Sequence, residues 1–241
     1  MKTSTIYALA LSAVLLGCKE PEKDNVPFRV EGGPVAIGAM RQVMWEGKLE
    51  GQVSLDTLNP KKGLYGLGPE SYLTGELLID DGVVYVSRVT SDSTMVVEQT
   101  TEVSAPFFVY AHVDRWRSVS LPDSITNLKQ FEYFLDKITL REKRPFAFKL
   151  EGVISGAFIH VQNLPEGTTV SSPQQAHQGQ TNYTVQNAPV SIIGFFSTQH
   201  QGVYTHHDSF VHMHLITADK QLMGHLDEAS FGTMTLYLPE L

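Results

Sequence analysis

Among 241 residues there is one cysteine, Cys18. That scarcity excludes disulfides and thiolate metal ligands from everything after it, so any bound metal must rest on nitrogen or oxygen. No run of lysines or arginines occurs either. With 18 basic against 26 acidic residues the formal charge is -8, and nothing favours nucleic acid or an anionic membrane surface as a partner. Charged residues make up only 18% and hydrophobic ones 42%, which argues against disorder and for a sizeable core. The longest apolar stretch, Ile6 to Leu16, falls short of the roughly 20 residues a membrane-spanning helix needs.

That short stretch has another reading. Lys2 gives a positive n-region, Ile6 to Leu16 an apolar h-region, and the segment ends in Leu15-Leu16-Gly17-Cys18. Residues 1–17 therefore read as a lipoprotein signal peptide, cleaved ahead of a lipidated Cys18. Residues 18–27 are charged, carry two prolines and read as a tether. The expectation is an exported protein, anchored by lipid to a bacterial membrane on its periplasmic or cell-surface side.

From Phe28 the texture is mostly strand. Alternating or β-branched runs fall at 52–56, 74–80, 83–90, 93–103 and 107–112. Others follow at 146–151, 153–161, 190–198, 208–217, 222–228 and 232–238. Asp80-Asp81-Gly82 reads as a hairpin turn. Two helices are predicted, at 35–48 and 124–138. In the second, Ile125, Leu128, Phe131, Leu135 and Ile138 share a face, with Asp123 or Ser124 as N-cap. Arg141 to Arg144 before Pro145 mark a boundary between an N-terminal domain, 28–144, and a C-terminal domain, 145–241.

Six of the nine histidines crowd into residues 200–225. His212 and His214 are two apart in an apolar run, so on a strand they share a face. Ala218-Asp219-Lys220-Gln221 reads as a turn. If it centres between Asp219 and Lys220, paired positions sum to 439. His214 then lies opposite His225, with His212 diagonal to it, and imidazoles so placed can converge on one ion. Three protein nitrogens with a fourth position open is the pattern of catalytic zinc. A lone His-x-His is common on exposed strands; the third histidine in register is what points to metal. Asp227 is expected opposite His212, as a fourth ligand or as an acceptor for an imidazole N–H.

These residues resemble a known family. His212-x-His214 followed by Gly224-His225 and Asp227 is similar to the zinc motif of α-acetolactate decarboxylases. Gly66-Leu67-Gly68, Leu73-Thr74-Gly75-Glu76 and Asp81-Gly82-Val83-Val84-Tyr85 follow the family's N-terminal pattern at the same spacing. Ser104-Ala105-Pro106-Phe107 and Gly194-Phe195 also fit, so the resemblance covers nearly all of the chain after the tether.

The resemblance implies a strand-rich α/β (α+β) fold: a mixed sheet domain plus a barrel-like antiparallel domain carrying a three-His zinc site. It implies zinc-dependent decarboxylation of 2-acetolactate, (S)-2-hydroxy-2-methyl-3-oxobutanoate, to (R)-acetoin and carbon dioxide, in acetoin and butanediol biosynthesis. His212, His214 and His225 would hold Zn2+, and Glu76 matches the family's active-site glutamate. It also leaves room for a homodimer.

Two positions depart from the pattern. Aligning Phe146 to Gly152 without gaps puts His160 where the family has an active-site arginine. The family's C-terminal glutamate has only Glu240 as a substitute. His206, His207 and Asp208 are read as residues of a surface loop, with a supporting role around the metal ligands as the alternative. The departures keep two rivals open: a zinc-dependent decarboxylase or hydrolase of another small hydroxy-keto acid, and a non-catalytic surface binding lipoprotein of the same fold.

Overall fold

The computed structural model describes residues 28–29 and 33–240. The predicted signal peptide, Cys18 and the tether lie outside the described residues. Two large sheets make up the body. The first has seven strands, in the order β1-β2-β9-β4-β5-β6-β7. These are β1 (Phe28–Arg29), β2 (Val35–Ile37), β4 (Leu64–Pro69), β5 (Glu76–Asp80), β6 (Val83–Ser91), β7 (Thr94–Gln99) and β9 (Phe108–His112). A small ribbon, β3 (Val53–Ser54) with β8 (Ser104–Ala105), lies beside it. A mixed sheet was expected, but every named pairing in it is antiparallel.

The second sheet has five strands: β10 (Trp116–Ser120), β11 (Phe146–Val161), β12 (Thr181–Phe196), β13 (Val211–Thr217) and β14 (Met223–Pro239). β14 pairs with β11 on one side and β13 on the other, while β12 joins β11 to β13. Four strands therefore close on one another, and β10 extends β14 at its far end. Breaks were expected near 152 and 229–231, yet β11 and β14 run through both places. Gly152 makes this possible, because at φ 148 the strand bends at a bulge without ending.

Among the described residues three α-helices accompany the strands: α1 (Met40–Glu46), α2 (Leu128–Ile138) and α3 (Pro173–Ala176). The predicted helix at 35–48 is shorter. Val35–Ile37 is a strand, and Gly38 at φ +66 separates it from α1; a Cβ at Gly38 would stand 2.2 Å from the Pro106 carbonyl. α2 starts later than predicted, capped by Asn127, whose side chain accepts the Gln130 N–H at 3.0 Å. Its apolar stripe behaves as expected: Phe131 and Leu135 are fully buried in the core of the closed strands, with the Phe131 ring 5.4 Å from that of Phe148.

Alternation decides what faces what. On β13, Val211, Met213 and Leu215 point into that core, so His212 and His214 point out of it. On β5, Leu78 packs against the outer wall of the closed strands with Ile193, Phe195 and Ile216. Glu76, two residues earlier on the same face, is aimed at that wall as well. The first sheet thus lays its Glu76 face on the histidine face of the second.

Candidate active site

β13 and β14 meet in the predicted register: His214 pairs with His225, Leu215 with Gly224 and Ile216 with Met223. On its other side His225 pairs with His160 of β11. Three histidines therefore stand abreast on three neighbouring strands, and His212 adds a fourth, its Nε2 3.1 Å from His225 Nδ1. All four are buried. Gly224 lets the strands close this tightly, since a Cβ there would stand 2.4 Å from the His160 carbonyl oxygen. Gly224→Ala is expected to force β11 and β14 apart beside the cluster. A loss of about 1–3 kcal/mol in stability should appear as a lower Tm and as weaker metal retention.

Glu76 closes the other side. One carboxylate oxygen is 3.6 Å from His214 Nε2 and the other 4.0 Å from His160 Nε2, contacts too long for direct hydrogen bonds. Burial pushes the Glu76 carboxyl well above its ordinary value; the Gln162 backbone N–H opposes this, and the charges of Asp227 and Glu70 reinforce it. Glu70 itself is fixed by Arg88, whose Nε donates to it at 2.8 Å.

His212, His214 and His225 are held neutral. Burial first, and then the neighbouring imidazoles, depress His212 and His225, and burial takes His214 down to about 3. Neutral imidazoles offer lone pairs. Ligand atoms of His212, His214 and His225 all lie within 4.8 Å of one another. His212 Nδ1 and both ring nitrogens of His214 are buried without a hydrogen-bond partner. Leaving such groups unpaired costs about 1–3 kcal/mol each, so this donor set fits a borderline metal such as zinc.

Asp227 is not opposite His212 as expected. The β11–β14 ladder passes from Phe158↔Glu228 to Ile159↔Leu226, so Asp227 is the extra residue of a bulge. The bulge turns its side chain onto His160, whose Nδ1 lies 2.8 and 2.9 Å from the two carboxylate oxygens. This fixes the ring with Nε2 toward Glu76. Glu240 does not substitute for a tail glutamate. It ends the far side of β14, where its carboxylate lies 3.4 Å from Arg115 Nε.

Two further histidines reach the site. His206 is half-buried, its ring 5.0 Å from that of His225 and 6.2 Å from that of His212. Its neighbours His207 and Asp208 are exposed, as a surface loop predicts. His177, just after α3, places its ring 6.3 Å from that of His160. Burial lowers the pKa of both. The crowding of histidine before residue 212 was a usable signal for His206. His177 had none, since only folding of the 162–180 segment brings it in. A cavity of about 30 Å³ is lined by His160, His177, His206, His212 and His225, by Glu76 and Gln162, and by the apolar Met40, Met44, Pro69, Leu73 and Phe107. A larger cleft of about 460 Å³ opens beyond His206 and His225, beside α2.

The model of the family described as Alpha-acetolactate decarboxylase matches residues 37–240. Acetolactate decarboxylase from Bacillus subtilis subspecies spizizenii has a similar fold, with a TM-score of 0.70 at 22% identity over 86% of this chain and 85% of that one. The enzyme from Bacillus subtilis strain 168 gives 0.68 at 21% over the same shares. A Staphylococcus aureus protein of unknown function, similar to alpha-acetolactate decarboxylase, gives 0.71 at 16%, over 85% and 84%. No curated protein matches the chain.

Proposed function

The chain belongs to the alpha-acetolactate decarboxylase family, and from that membership and the geometry of the site we propose that it decarboxylates 2-acetolactate to acetoin with zinc. The observation that carries the reading is the meeting of Glu76, buried and favouring its protonated form, with a wall of neutral histidines across the two sheets. His212, His214 and His225 would hold the zinc, which would supply Lewis acidity toward the ketone and hydroxyl oxygens of the substrate.

The protein's own groups do the rest. The C–CO2 bond of a β-keto acid breaks when its electron pair can move into the neighbouring ketone, leaving an enolate and carbon dioxide. Glu76 stands ready to deliver the proton that turns the enolate carbon into product, from one face only, which sets the product's chirality. His160, oriented by Asp227, takes the place of an arginine that would meet the substrate carboxylate. Apolar Phe107 and Leu73 also line the cavity.

Carbon dioxide released from racemic acetolactate by the zinc-loaded protein, with optically active acetoin as co-product, is the expected result. Absence of release from either enantiomer overturns the reading. The histidine at position 160 favours a second one, a different small hydroxy-keto acid as substrate. His160→Asn separates them. Loss of a hydrogen bond to a charged group, worth about 1.5–3 kcal/mol, should lower kcat/KM on acetolactate roughly ten- to hundredfold, mainly through KM. An unchanged KM removes His160 from carboxylate binding.

Export and lipid anchoring at Cys18 rest on the Leu-Leu-Gly-Cys motif. Each buried acyl methylene contributes about 0.8 kcal/mol, so several chains hold firmly where one does not. Wild-type protein is expected in the membrane fraction and Cys18→Ser in the soluble fraction. Wild-type protein in the soluble fraction counts against the anchor.

A further inference from the structure

The lining of the cavity is of two kinds: the Glu76 carboxyl, the Gln162 amide and the imidazoles on the one hand, and five apolar side chains on the other. The first kind suits the oxygens of a small molecule bound there, the second its carbons. Four apolar residues matter here: Met40, Met44, Leu73 and Phe107.

Two of the four are fixed. Leu73 is fully buried at φ 54, a left-handed backbone, and its carbonyl accepts the Leu164 N–H at 2.8 Å. Phe107 is buried, its ring 6.4 Å from that of His212. The methionines differ. Met40 and Met44 are one helical turn apart on α1, so they share a face. Met44 is half-buried, at the margin of the cavity. Methionine is unbranched, with three rotatable bonds, and adapts to irregular gaps as leucine or phenylalanine cannot.

The helix beneath them is anchored at both ends. Its first N–H groups donate to the loop that carries His206: Met40 to the Val203 carbonyl at 2.8 Å and Arg41 to that of Gly202 at 2.9 Å. At its end Gly47, at φ +63, approaches so closely that a Cβ would stand 2.6 Å from the Val170 carbonyl oxygen. Val43, between the methionines, is fully buried. The methionines thus stand on a fixed helix, and their side chains are the part of the cavity wall best able to adapt to an alkyl group.

We propose that Met40 and Met44 form the alkyl pocket of this site and that Met44 sets how large a group on the substrate's carbinol carbon is accepted. The proposal rests on the reading of the site as one for 2-hydroxy-3-oxo acids and adds the residues that decide among them. In a hydrophobic pocket one methylene too many is worth roughly 10- to 200-fold in discrimination. The wild type should prefer the 2-methyl acid over its 2-ethyl and 2-propyl homologues by roughly tenfold or more at each step.

The test measures kcat/KM of the zinc-loaded protein for those three acids in wild type, Met44→Ala and Met44→Leu. Calorimetric binding of the inert 2-hydroxy-2-alkylpropanoates of the same three sizes runs alongside. Met44→Ala should weaken the methyl compound and strengthen the propyl one, flattening or inverting the order in both series. Met44→Leu, close in volume, should keep the wild-type order. Zinc content and the circular dichroism spectrum certify that each variant is folded. A uniform factor on all three homologues in Met44→Ala, or wild type binding none of the alkyl acids, overturns the proposal. If the wild type releases no carbon dioxide but the binding order shifts as described, the pocket stands and the decarboxylase reading falls.

Discussion

His225→Ala is expected to leave the protein without zinc, where the wild type is expected to carry one ion per chain. His225 is the middle of the cluster. It pairs with His214 across one strand gap and with His160 across the other, and its Nδ1 is 3.1 Å from His212 Nε2. No cysteine follows Cys18, so no thiolate can replace it. A ligand present at 1,000 times its Kd stabilises the folded state by about 4 kcal/mol. For a domain of this size each kcal/mol moves Tm by about 2–4 °C. A chelator should therefore lower the wild-type Tm by roughly ten degrees and leave that of His225→Ala nearly unchanged, the two converging once metal is gone. The double variant His212→Ala/His225→Ala tests the assignment most severely. Stoichiometric zinc retained in it, by metal analysis after gel filtration, would place the ion elsewhere.

The histidine cluster was legible because strand geometry is simple arithmetic. Period two put His212 and His214 on one face, and a turn between Asp219 and Lys220 fixed the pairing of His214 with His225, which β13 and β14 adopt. That arithmetic fails where a strand carries an extra residue. Asp227 was expected opposite His212, and the bulge in the β11–β14 ladder sends it to His160 instead. Period and composition cannot reveal a bulge, because it is set by how two distant strands twist on each other. The same limit split β11 and β14 into pairs of shorter strands. α2 was recognised from its apolar stripe, but its start was missed because Asn127 outcompetes two other good caps just upstream. His177 lay beyond reach, since α3 is four residues long and carries no periodic signal. Glu76 was found through motif resemblance. Its orientation toward the second sheet then follows from sharing a face with the buried Leu78.

Glu76→Gln is expected to reduce turnover by roughly two to four orders of magnitude while leaving zinc content and Tm close to wild type. The substitution keeps the shape of a side chain that is 3% exposed and removes only its capacity to give up a proton. Stability should not suffer, because burial already penalises the charged carboxylate and the amide oxygen can accept the Gln162 backbone N–H in its place. What is lost is the step after carbon dioxide leaves, when the enolate carbon needs a proton from a fixed direction. Glu76 approaches from β5, across the gap from His160 and His214, so wild-type acetoin should be a single enantiomer. With glutamine there, water protonates the enolate from either face, and the residual acetoin should approach a racemate. Glu76→Asp keeps the acid but shortens its reach by one methylene. It should fall between the two in rate and retain most of the enantiomeric excess. Rate and chirality are thus independent readouts of one role. A structural contribution alone would lower Tm or zinc content and leave the product's handedness intact. If Glu76→Gln turns over within about threefold of wild type and still yields one enantiomer, the proton comes from another group, and His160, whose Nε2 lies 4.0 Å from the Glu76 carboxylate, becomes the next residue to substitute.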